Sequence, residues 1–210
     1  MLRTFSHNTL IQMAEYSKIP IINGLSDTHH PCQVLADLQT LKENFSELKG
    51  LTLSYIGDGN NMLHSLLLML PALGVNVNYA CPNKYQPDNK ILKIAHETAK
   101  TKNAKIQCFK TPEDAVRGVN AIYTDVWTSM GFEQESKDRI AAFAGYQINS
   151  KLLALADSQA IIMHCMPVHE EQEITREMIE HKRAVLFQQS ENRLHAQKAL
   201  LMGLFKEIHV

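Results

Sequence analysis

The sequence is short of the features that would assign it quickly, and each shortage removes a class. Its four cysteines, Cys32, Cys81, Cys108 and Cys165, are scattered with no CxxC pair. That spacing supports neither a disulfide framework nor a zinc knuckle, and it fits a reducing compartment. No apolar run is long enough to span a bilayer, Leu66 to Leu70 being the longest. The first residues, MLRTFSHNTLIQMAEYS, carry no apolar core or small-residue cleavage site and read as folded helix, so the cytoplasm is the expected location. Neither sign of charge dominates: 21 basic residues oppose 22 acidic ones, with a net charge of −1 and no long block of either sign. A nucleic-acid surface needs a basic stripe, and none is visible. Low-complexity segments and fixed-period repeats are also lacking.

What is present is a soluble globular composition, 45% hydrophobic and 20% charged, in 210 residues. Apolar runs alternate with helical patterns. Strand-like LTLSYIG, VNVNYAC, AKIQCF, AIYTDV, AIIMHC and AVLFQ are interleaved with helices such as MLHSLLLMLPAL, DNKILKIAHETAKT and a last one from Glu191 to about Lys206. This is the pattern of an α/β fold built on a doubly wound parallel sheet. Residues 1–45, with two helices (the second opening at Pro31) and one short extended run, Ile19 to Ile22, are too few for an independent domain and read as the end of something larger. Residues 46–190 form the regular domain, and 191–210 a C-terminal helix returning toward the first segment.

Doubly wound sheets bind ligands beyond the carboxyl ends of their strands. Five stretches there could carry chemistry. Gly57-Asp58-Gly59-Asn60-Asn61 follows a strand, but Met62 replaces the third glycine of GxGxxG and no acidic residue ends the next strand, so a dinucleotide is disfavoured. Asn60 and Asn61 instead suit a helix cap and a carboxylate ligand. DVWTSMG places Asp125 at a strand end, suited to an amine. Ser129-Met130-Gly131 follows with a hydroxyl and consecutive amides, suited to a carboxylate. In HCMP, Cys165 is open to three readings: a nucleophile, a ligand contact or a small buried hydrophobe. The His164 ring should point the other way, which weakens a Cys–His nucleophile. His164 and His169 lack an HExxH pattern, so metal binding is not expected. His30 is expected to cap a helix opened by Pro31. Gln33 shares its face, and together they suit an oxyanion or phosphate. Arg193, expected in the first turn of the last helix, opposes the helix dipole there and so points to a ligand, with pairing to Glu191 as the alternative.

Taken together, NGLSDTHHPCQVLADLQTL, YIGDGNNMLHS, TDVWTSMGFE, MHCMP and SENRLHAQKALL resemble the transcarbamoylase family, specifically its ornithine carbamoyltransferases, in order and across the whole chain. The resemblance implies a Rossmann-like ornithine-binding domain with a remnant of the carbamoyl-phosphate domain. It implies carbamoyl transfer from carbamoyl phosphate to the δ-amine of L-ornithine, giving citrulline and phosphate without metal or organic cofactor. It implies a homotrimer, with no nucleic-acid or membrane partner. By motif, His30, Gln33 and Arg3 (in LRTF) would hold carbamoyl phosphate, and Arg193 would lie near the carbamoyl oxygen. Asn61, Asp125, Ser129 and Met130 would hold the amino-acid end of ornithine. Cys165 and the Met166 carbonyl would lie near the reacting amine, with Met166-Pro167 cis. The family's Ser-x-Arg-Thr-Arg phosphate loop has no counterpart in these residues, so the chain reads as N-terminally truncated, with little or no citrulline formation. The competing expectations are a non-catalytic remnant that binds an amino acid or partner protein, and a transferase for putrescine or N-acetylornithine.

Overall fold

The computed structural model describes residues 1–128 and 133–208. A short parallel pair, β1 (Leu2–Arg3) and β2 (Asn23–Leu25), flanks α1 (His7–Tyr16), and α2 (Pro31–Phe45) follows. The regular alternation then runs β3 (Thr52–Ile56), α3 (Asn61–Ala72), β4 (Asn76–Ala80), α4 (Asn89–Lys102), β5 (Ile106–Cys108), α5 (Pro112–Ala115) and β6 (Ala121–Thr124). After it come α6 (Ser136–Ala142), α7 (Ser150–Leu155), β7 (Ile161–His164), α8 (Arg176–Ile179) and the long α9 (Leu186–Ile208).

Strands β3 to β7 form one parallel sheet in the order β5-β4-β3-β6-β7. Side chains alternate across each strand, and here both faces are buried. Leu53, Tyr55, Val77, Tyr123 and Met163 enter the core shared with α2, α3 and α4. Ile56, Ala80, Ile122 and Ile162 enter the core shared with α5, α7 and α8. Burial on both faces explains why the strands read as continuous apolar runs rather than alternating ones. The chain winds outward one way from β3 and the other way from β6, so these neighbours flank the switch point where a crevice opens.

Two sequence expectations need correction. AVLFQ is not a strand: only Ala184 makes an isolated bridge, to Ile162, and the helix already begins at Leu186. A short apolar run has no period that separates strand from helix, and packing of α9 against α2 decides the matter. Arg193 consequently lies two turns inside α9, and the dipole argument for it falls. The extended run expected at Ile19–Ile22 forms its strand slightly later, at Asn23–Leu25.

Candidate active site

The loop after β3 is shaped by close approach. A Cβ on Gly59 would stand 2.3 Å from the Pro87 nitrogen, so only glycine lets the 85–87 segment cross here, with the Gly59 amide donating to the Tyr85 carbonyl at 2.8 Å. Asn60 then caps α3, its Oδ1 accepting from the amides of Met62 and Leu63. Its Nδ2 is left to reach across the switch point and donate to Asp125 Oδ2 at 2.7 Å. Asp125, just past β6, is 7% exposed. Its other oxygen accepts from the Val126 amide at 2.8 Å and from the Cys165 thiol at 3.0 Å. Adjacent strand ends thus bring together the two residues expected to meet an amine.

Burial, with the Asp125 carboxylate beside it, pushes the Cys165 thiol well above its ordinary range. A thiol so held is a hydrogen-bond donor and not a thiolate nucleophile. His164 does face away: its ring Nε2 meets Glu173 Oε1 at 3.2 Å, and both residues are fully buried. Because Nδ1 accepts from the Met166 amide at 2.9 Å, Nε2 carries the proton given to Glu173, which fixes the tautomer. This bracing shapes the turn in which Met166 has φ 56° and Met166-Pro167 is cis.

A second wall rises from α2 and α9. His30 occupies the cap position of α2 as expected, yet its ring bonds no helix amide. Its backbone amide donates to Ser65 Oγ at 2.7 Å, while its Nδ1 is buried with no protein partner among the described residues. Burial, then the nearby charges of Arg193 and Arg3, lowers the His30 ring to about 3. The imidazole is therefore neutral at physiological pH, fit to donate or accept one hydrogen bond and unfit as a cation. Arg3 itself lies on β1 and is exposed. Arg193 Nη1 donates to Gln33 Oε1 at 2.7 Å, and its Nε has no protein partner among the described residues. Glu191 pairs with His195 instead of with Arg193.

Asn61 behaves differently from its neighbour. Its Nδ2 donates to the Ser26 carbonyl at 2.7 Å, tying α3 to the segment before His30. Ser129 and Met130 lie outside the described residues. Sequence reasoning missed four residues that support the site. Asp37 and Gln189 are buried polar side chains bonded to each other at 2.7 Å across 152 positions, and Tyr123 donates to the same Asp37 at 3.1 Å. Only the spacing of Gln33 and Asp37, four apart on a helix, hinted at a pair. Arg139, buried, donates to Asp58 at 2.7 Å and to the Trp127 carbonyl at 3.0 Å. It thereby ties the end of β3 to the segment leaving β6. No cluster of three potential metal-binding side chains occurs among the described residues.

A parallel sheet with a buried carboxylate at its switch point, and a neutral histidine beside arginine on the adjoining wall, fits the class that the sequence resemblance pointed to, the transcarbamoylases. Residues 49–204 match the aspartate/ornithine carbamoyltransferase Asp/Orn binding domain, and residues 1–43 match the carbamoyl-P binding domain of the same group. The ornithine carbamoyltransferase of Synechococcus elongatus is 50% identical over 99% of this chain and 68% of its own length. That of Methanothermobacter thermautotrophicus is 45% identical over 99% of this chain and 69% of its own. Among solved structures, the Gloeobacter violaceus ornithine carbamoyltransferase superposes with a TM-score of 0.90 at 45% identity, covering 96% of this chain and 68% of that one. The Pyrococcus furiosus enzyme superposes at 0.91 with 42% identity, covering 95% and 64%. The chain belongs to the ornithine carbamoyltransferase family.

Proposed function

We propose that this site carries out, or contributes its ornithine half to, carbamoyl transfer from carbamoyl phosphate to the δ-amine of L-ornithine. The observation that supports this most is the Asp125 carboxylate, held by Asn60 and the Cys165 thiol at the switch point. An amine placed there exchanges the thiol contact for its own, and attacks the carbamoyl carbon as the neutral base. The C–N bond forms, the C–O bond to phosphate breaks with its electron pair going to the phosphate oxygen, and the proton lost by the amine leaves with that phosphate. His30, Arg193 and Arg3 supply the donors for the carbamoyl oxygen and the departing phosphate, where charge accumulates. Gln33 orients Arg193. Asn61, Ser129 and Met130 bind the amino-acid end, and the Met166 carbonyl receives the reacting amine. No step requires a metal or organic cofactor, and Cys165 forms no covalent intermediate.

Initial rates with L-ornithine, N-acetylornithine and putrescine test the acceptor, with ornithine expected to be preferred. A carbamoyl group trapped on Cys165 during turnover would overturn the scheme. The chain spans about two thirds of its relatives' length and contains no Ser-x-Arg-Thr-Arg run. That favours a second reading for these 210 residues alone, as a module that binds the amino acid without turning it over. Citrulline formation by polypeptide of verified mass separates the two, and slight turnover with retained ornithine binding is expected. Cytoplasmic location, a place in arginine synthesis and assembly as a homotrimer are part of the same proposal.

A further inference from the structure

Between the two walls lies a buried carboxylate bonded to three protein side chains. Asp37 is fully buried on α2. Its Oδ1 accepts from Gln33 Nε2 at 2.9 Å and from Gln189 Nε2 at 2.7 Å, and its Oδ2 accepts from the Tyr123 hydroxyl at 3.1 Å. Each glutamine has one amide oxygen left. That of Gln33 accepts from Arg193 Nη1 at 2.7 Å, and that of Gln189 accepts from the His164 backbone amide at 2.9 Å. His164 immediately precedes Cys165. The path from the arginine of one wall to the thiol-bearing turn of the other is therefore Arg193, Gln33, Asp37, Gln189, His164, with a single carboxylate at its midpoint.

An amide has a donor end and an acceptor end, and a carboxylate can only accept. With Asp37 ionised, both glutamines must turn their NH2 groups inward, and both oxygens are then committed outward. We infer that Asp37 is a positioning residue that couples the two half-sites, setting the Arg193 guanidinium and the Cys165 turn together through the orientation of two glutamine amides. The functional weight of this coupling rests on the reading above, in which the two walls bind the two substrates. The hydrogen-bond relay itself does not depend on it.

Burial pushes the Asp37 carboxyl up to about 7, against the pull of its three donors and of Arg193. The titratable groups facing it are Tyr123 from β6, Arg193 from α9 and Cys165 after β7, while His30 and Cys32 at the start of its own helix respond to Arg193. Nuclear magnetic resonance of the 15N-labelled full chain, titrated between about pH 5 and pH 9, reads both ends at once. The Arg193 Nε–H and the His164 backbone amide are expected to move on one shared curve, and both movements are expected to vanish in Asp37→Asn. A histidine or thiol titrating near one end would move that end alone and would survive the substitution. Different midpoints, persistence in Asp37→Asn, or no movement at either end would overturn the coupling. Should Asp37→Asn fail to fold, Gln33→Leu serves: it cuts one arm, so Arg193 should fall silent while His164 still responds, and a response at both overturns the relay. Adding L-ornithine separates the two claims. Shifts confined to the Asp125–Cys165 side, with none at Arg193, count against coupling. No shift anywhere counts against the functional reading and leaves the pH result to judge Asp37.

Discussion

The two walls of the site are built on opposite principles. On the Asp125 side the carboxylate and its braces are bonded within the protein: Asn60, the Val126 amide and the Cys165 thiol on Asp125, Arg139 on Asp58, one Glu173 oxygen on His164, while Trp127 Nε1, Thr128 Oγ1 and the second Glu173 oxygen have no partner among the described residues. On the His30 side the key atoms, His30 Nδ1 and Arg193 Nε, are buried with no protein partner among the described residues. A satisfied wall gains stability from its own hydrogen bonds and offers a ligand a fixed shape. An unsatisfied wall gives up stability to keep donors ready, and recovers it when a ligand arrives. Substitutions on the first wall should therefore be read in folding, and those on the second in binding.

The hardest test of that contrast is Arg139→Met, which strands the Asp58 carboxylate in the interior. It should cost about 3–5 kcal/mol in denaturant unfolding, and a loss under 1 kcal/mol would break the comparison. Next comes pH. The His30 ring, lowered from 6.5 to about 3, binds a proton in the unfolded chain but not in the folded one, so its contribution is complete above pH 6.5 and is lost as pH falls toward 3. Asp37, raised from 3.8 to about 7, behaves in the opposite way: its contribution is complete below pH 3.8 and is lost as pH rises through 7. From pH 4 to 6.5 the two contributions change in opposite directions, by about 3 kcal/mol each over that span. Asp37→Asn should uncover stability that climbs with pH, and His30→Gln stability that declines, both followed by urea midpoints. Matching slopes in the two variants would refute this. Asn60→Ala, losing a cap and the Asp125 bond together, should cost about 1–2 kcal/mol and weaken ornithine binding. Smallest in folding, Arg193→Met should change stability by about 1 kcal/mol or less while abolishing the thermal protection given by inorganic phosphate.

How far the sequence alone reached follows the same division. Strand ends are marked by where apolar runs stop, so Asp125 and Cys165 could be placed without coordinates, as could the outward turn of His164. Helix partners across the chain carry no such mark. Asp37 and Gln189 look like ordinary polar residues until α9 is laid against α2. AVLFQ was ambiguous for the same reason, because its state depends on a helix 150 residues earlier in the chain, beyond any local period. Asn60 and Asn61 show a finer limit. Sequence marks the pair as a cap plus a functional amide. The fold gives the cap and the Asp125 bond to Asn60, and turns one donor of the Asn61 amide to the Ser26 carbonyl.

The meeting of α2 with α9 also sets an order in time. The bond between Arg193 and Gln33 closes a loop of 160 residues, the longest span among the hydrogen bonds described for the site, whereas Cys165 meets Asp125 across 40. A chain emerging from the ribosome can bring Asp125 and Cys165 together once β7 is out, but it must wait for α9 before Arg193 reaches Gln33. Nascent chains stopped short of α9 would thus hold the Asp125–Cys165 pair already formed and leave Gln33 without its arginine.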